Sequence, residues 1–140
     1  PDTPAETLYT PEALQRIKRG LAPGGAVVQH LGSPVFHAKQ VQQLAECLRR
    51  EFAQVQCYGL YIPLYGAYWG LAVASDRLQP ALLPPAFATQ RLAEPGAAGL
   101  QFYNAELHPA LFALPTYYRE LVAAKPAVKK ALIPDLALQA

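Results

Sequence analysis

The chain of 140 residues contains no methionine, a single tryptophan, two cysteines and only 16% charged residues. Each scarcity excludes something. Cys47 and Cys57 form neither a CxxC pair nor a Cys/His cluster, which argues against a zinc site and against a disulfide framework. They read as small core residues of a reduced, cytoplasmic protein. The formal charge of +2 is too small to recommend nucleic acid as a partner. The basic pairs Arg49-Arg50 and Lys129-Lys130 read as solvated helix surface. No glycine-rich phosphate loop follows a strand, because Gly24-Gly25 comes after a helix pattern. Ser33 and His37 have no acid placed to orient them as a nucleophile and base. The ten acids show no paired-carboxylate spacing. The apolar run over residues 59–75 is short for a membrane span, and Pro63, Gly66 and Gly70 interrupt it. With no methionine at its start and no signal peptide, the chain reads as a piece of a longer protein.

What is present is a core-forming composition, 52% hydrophobic, enough for one domain. Its most distinctive stretch is IPLYGAYWGLAVAS, residues 62–75, which holds the tryptophan and two of the eight tyrosines. From spacing alone, Tyr65, Tyr68 and Trp69 read first as half-buried aromatics at a core edge. The second reading is a wall of a small-molecule pocket, built on a turn at the end of a sheet.

In chain order, residues 1–9 read as a proline-interrupted loop. Thr10-Pro11-Glu12 then signals a helix start: a hydroxyl cap, proline at the first helical position and an acid in the first turn. Leu14, Ile17 and Leu21 give that helix an apolar face, and Pro23-Gly24-Gly25 stops it. Residues 26–30 form a β-branched strand ending in Gln29 and His30. A second helix is expected over residues 38–52, with Val41, Leu44, Leu48 and Phe52 buried. A second strand follows over 54–62 and a third over 69–75. The helix–strand repeat implies a parallel sheet. The short connection between the second and third strands requires that pair to be antiparallel. The fold class is therefore α/β: the carboxyl half of a Rossmann-like, methyltransferase-type sheet ending in an antiparallel hairpin, with extra C-terminal helices. Residues 1–75 form the half-sheet and 76–140 a helical extension. Within the extension, a helix starts at Pro84-Pro85 and residues 100–103 are extended. Asn104 caps a helix containing Leu107, Leu111 and Phe112, with Pro109 weakening its first turn, and Pro115-Thr116 opens the last helix.

Three segments in order carry a family likeness: PDTPAETLY (1–9), IPLYGAYWGLAVAS (62–75) and FYNAELHPALFALP (102–115). Together they resemble the carboxyl half of the spermidine synthases, the polyamine aminopropyltransferases. The resemblance covers the chain to about Val122. In that family a strand ends in Asp-x-x-Asp-Pro and continues into Gly-Pro-Ala-Glu. Thr3-Pro4-Ala5-Glu6 stands in the latter place here, so the resemblance implies that Pro4 and Ala5 pack near the adenine of decarboxylated S-adenosylmethionine. The family aspartates, including the proton acceptor, would lie just before Pro1, and Asp2 is not one of them. The resemblance further implies that Gln29 and Tyr65 line the amine pocket, with Trp69 close behind. Many relatives place a glutamate soon after the glutamine, where this chain has His30-Leu31-Gly32, which removes one acceptor for an ammonium group.

The implied activity is aminopropyl transfer to a diamine such as putrescine, without a metal. The fragment itself is expected to be inactive, since the catalytic acid and most of the co-substrate site are absent from it. No nucleic-acid or membrane partner is expected. An incomplete sheet exposes an edge, so self-association is expected. The rival readings are a non-catalytic binding or dimerisation module of the same fold, and an S-adenosylmethionine-dependent methyltransferase.

Overall fold

A computed structural model describes residues 6–97 and 99–123 of the chain. Residues 1–5 of the expected 1–9 loop, and the tail beyond residue 123, lie outside the described residues. After a 3-10 turn at Glu6–Tyr9, helix α1 spans Pro11–Gly20. It begins as its sequence requires: the Thr10 hydroxyl accepts the Ala13 N–H at 3.2 Å, satisfying one of the amides that a helix start leaves free. Strand β1 spans Ala26–Gly32 and helix α2 spans Ala38–Glu51. Strand β2, Gln54–Ile62, passes through a 3-10 turn at Pro63–Tyr65 into β3, Ala67–Ser75. Gly66 makes this turn possible, since its φ of 59° lies in the left-handed region that side chains disfavour. Helices α3 (Pro85–Leu92), α4 (Leu107–Phe112) and α5 (Thr116–Leu121) complete the described chain. None of the described helices is long and apolar enough to cross a membrane.

The sheet order is β1-β3-β2, with β3 antiparallel to both neighbours. The expected hairpin is therefore present. The expected parallel pairing is not made in the way the helix–strand repeat suggests. β1 and β2 run in the same direction, but β3 lies between them and takes the hydrogen bonds of each. A hairpin this tight must place β3 beside β2, and β3 has the small residues needed for a central strand: Gly70, Ala72 and Ala74 are all buried.

Directly opposed residues share a face of the sheet. Gly70, Ala72 and Ala74, with Val27, Gln29, Val55, Cys57 and Gly59 opposite or beside them, form one face. Against it pack Leu14 of α1, Val41, Ala45 and Leu48 of α2, and Tyr118 of α5. Leu48 is fully buried, as the apolar period of α2 predicts, and burial of such a side chain contributes about 1.5–3 kcal/mol. The opposite face carries Trp69, Leu71 and Val73 with His30, Val28, Tyr58 and Gln56. There α4 packs on β2: the Tyr58 and Phe112 rings lie 5.5 Å apart. The Ala81 N–H donates to Gln56 Oε1 at 2.8 Å.

Three local expectations change. Residues 100–103, expected to be extended, bend at Gln101 and Phe102. Pro109 does not weaken α4, because it falls in the first turn, where no N–H is needed. Tyr68 is a β3 residue rather than a turn residue, and its ring meets Tyr118 edge-on at 6.1 Å.

Candidate functional site

The carboxyl ends of β1 and β2 lie at the same end of the sheet, where open α/β sheets form their ligand crevice. The Pro63–Tyr65 turn sits there. It carries Tyr65 back over the first residues of β3, so that the Tyr65 and Trp69 rings stack with centroids 4.4 Å apart and planes tilted by 39°. Tyr65 remains 48% exposed, which leaves aromatic surface available to a ligand. The Trp69 indole N–H donates to Nδ1 of His30 at 3.1 Å. The His37 ring stands edge-on to the indole at 6.1 Å.

Gln29 stands at the same end of β1 but on the other face, opposite Ala72, whereas Trp69 is on the His30 face. The structure thus brings Tyr65 and Trp69 together and holds Gln29 apart from them across the thickness of the sheet. The Gln29 Oε1 atom is buried, and no hydrogen bond to it is formed among the described residues. An acceptor left in this condition costs about 1–3 kcal/mol until a donor reaches it. Pro4 and Ala5 lie outside the described residues.

Two features were not legible beforehand. His30 and His37 flank the indole, although neither spacing nor residue type links them to Trp69. A second cluster surrounds His108, a residue of α4. Its Nε2 contacts the Pro80 carbonyl at 2.8 Å and its Nδ1 the Tyr103 hydroxyl at 2.7 Å. A carbonyl only accepts, so Nε2 carries a proton, and in the neutral imidazole Tyr103 donates to Nδ1. The hollow beside this pair, about 480 Å³ and bordered by Phe87, Arg91 and Glu94, therefore meets a histidine with both nitrogens engaged. Arg91 and Glu94 are paired with each other at 2.9 Å.

Residues 1–81 match the family model for the spermine/spermidine synthase domain. This chain belongs to the spermine/spermidine synthase family. Within it, the polyamine aminopropyltransferase of Nitrosomonas europaea is 35% identical over 123 residues, 88% of this chain and 38% of that protein. That of Sulfolobus acidocaldarius is 32% identical over 121 residues, 86% and 40% respectively. The chain thus spans about two-fifths of the length of these curated relatives. Among solved structures, the spermidine synthase of Thermotoga maritima superposes with a TM-score of 0.72 at 21% identity, over 86% of this chain and 40% of that one. A spermidine synthase in complex with the transition-state analogue AdoDATO gives 0.71 at 21%, over 84% and 40%. These likenesses establish the fold: the three strands belong to the Rossmann-like sheet of spermidine synthases.

Proposed function

We propose that this chain is the carboxyl part of an aminopropyltransferase that moves an aminopropyl group from decarboxylated S-adenosylmethionine to a diamine such as putrescine. The observation that carries the reading is the exposed Tyr65–Trp69 stack at the carboxyl end of the sheet, in a member of this family. A diamine has two cationic ends on an apolar stem, and aromatic faces attract such a cation by about 0.5–2 kcal/mol.

In the reaction the neutral amine nitrogen attacks the carbon bonded to the sulfonium. The N–C bond forms, the C–S bond breaks, and sulfur leaves as a neutral thioether. The proton lost by nitrogen passes to a carboxylate, which the family resemblance puts before Pro1. The chemistry needs little beyond positioning and a deprotonated nucleophile. Tyr65 and Trp69 would serve the amine, and Pro4 and Ala5 the adenine. The 140 residues alone should then be inactive. We further place the protein in the cytoplasm as a self-associating molecule.

Steady-state kinetics of the complete enzyme test the reading. Tyr65→Ala should raise KM for the diamine about tenfold, the loss of roughly 1.4 kcal/mol of cation–aromatic attraction, and leave KM for the sulfonium donor unchanged. Equal rises in both would reduce Tyr65 to a packing residue. Absence of aminopropyl transfer by the complete protein would reject the function.

A further inference from the structure

Trp69 is the only tryptophan of the chain and lies among titratable groups. His30 accepts its N–H, His37 from the start of α2 meets its edge, and Tyr65 covers it. Tyr9 shares with His30 the groove along β1, and Lys39 borders the hollow beside His37. The ion pairs found among the described residues, Lys18–Asp76 and Arg91–Glu94, involve none of these groups.

An indole N–H can only donate. Nδ1 of His30 must therefore be the unprotonated nitrogen, and the 3.1 Å bond exists only while the imidazole is neutral. Protonation places a second N–H against the indole N–H, so the bond breaks and a cation stands beside the ring.

We propose that His30 is a positioning residue of the aromatic wall: neutral, it holds Trp69 in register with Tyr65; protonated, it releases the indole and puts positive charge where a cationic amine would bind. The second half of this statement rests on the amine-site reading; the first does not. The wall then admits a cationic ligand only while His30 is neutral. Histidine side chains ordinarily change charge between about pH 5 and 8.

Because Trp69 is unique, the fluorescence of this chain reads the first half directly, with no ligand added. The wild type should show a single-proton transition in Trp69 emission. His30→Ala should lose the transition and resemble the acid form throughout. His30→Asn has an amide oxygen near the place of Nδ1, so it should also lose the transition but resemble the neutral form. His37→Gln should keep it. A wild type without a transition, or a His30→Ala chain that titrates like the wild type, would overturn the proposal. In the complete enzyme, KM for 1,4-diaminobutane should rise as the pH falls through this transition, and His30→Asn should flatten that rise. A complete enzyme that transfers aminopropyl groups but shows the same KM profile in His30→Asn rejects the gating by His30. One that transfers none rejects the amine site and leaves the His30–Trp69 coupling to be decided by fluorescence.

Discussion

Gly70 of β3 lies directly beneath the phenol of Tyr118 on α5. A β-carbon at Gly70 would come within 2.5 Å of the Tyr118 hydroxyl oxygen and 2.9 Å of its ring. Gly59, the cross-strand partner of Gly70, is covered in the same way by Tyr68, at 2.3 Å from a β-carbon to the hydroxyl oxygen. Two opposed glycines thus open a depression in the sheet, and two tyrosines fill it. Tyr118 is fully buried and donates its hydroxyl to the Tyr58 carbonyl at 3.3 Å. Burial also pushes its hydroxyl far above the ordinary tyrosine pKa, so it stays a neutral donor.

Gly70→Ala should therefore destabilise the chain by about 1–3 kcal/mol, the usual cost of overpacking a filled core. The denaturant midpoint measures it, with an unchanged slope to show that the transition itself is the same. Adding Tyr118→Phe to Gly70→Ala should recover part of the loss, because it removes the nearest clashing atom. If Gly70→Ala left the midpoint unmoved, Tyr118 would not seat over β3.

The same pair of residues shows what the sequence conveyed and what it did not. Periodicity placed α1, α2 and the three strands to within a few residues, because each buries a stripe of its own. The hydroxyl cap at Thr10 and the turn at Gly66 were legible for the same local reason. Strand order was not, since nothing local says that β3 inserts between β1 and β2. The role of Tyr118 was hidden with it, because its seat is made by glycines on two other strands. At the candidate site, Tyr65 and Trp69 are four residues apart and could be paired by eye. The His30–Trp69 bond spans two strands and a register that a bulge after His30 shifts. The faces of Gln29 and His30 follow from alternation once that register is known.

Tyr103→Phe tests the second histidine cluster. His108 is only 7% exposed, and its Nδ1 receives the Tyr103 hydroxyl. Removing that hydroxyl leaves a buried acceptor without its donor, a loss of about 1–3 kcal/mol. Thermal or urea unfolding should register it. A null effect would mean that solvent reaches Nδ1.

Acid should weaken one tie between the helices and the end of β3. The Asp76 carboxyl accepts from Lys18 Nζ at 2.9 Å and from the Ala53 N–H at 3.1 Å. These two hydrogen bonds, the Lys18 one foremost, hold its pKa below the ordinary carboxylate value. A depressed acid contributes stability above its unfolded pKa and loses it as the pH falls through the folded one. The group is fully exposed, so the contribution is small and screened. Asp76→Asn should be less stable than the wild type at neutral pH, and the two midpoints should converge well below pH 4, on the acid side of an ordinary carboxylate. A gap that persisted unchanged into acid would assign the effect to packing instead.

Cys57 should be the slow thiol. It is buried on the core face of β2, and burial raises its pKa to about 11 although Arg49 pulls in the opposite direction. Cys47 on α2 is also raised by burial but is only partly covered. The thiolate is the reactive form, and a pKa of 11 leaves roughly a hundredfold less of it at pH 8 than an ordinary thiol has. Iodoacetamide at pH 8 should therefore modify Cys47 first and Cys57 only when the chain unfolds, which peptide mass spectrometry resolves. The linkage runs the same way. A raised thiol pKa favours the fold fully below the ordinary thiol value, and this part of the stability is lost as the pH climbs toward 11. Cys57→Ala would remove that alkaline loss and leave a cavity, lowering the midpoint at pH 7 while flattening its decline above pH 9. Equal labelling of both thiols in the folded chain would place Cys57 outside the core.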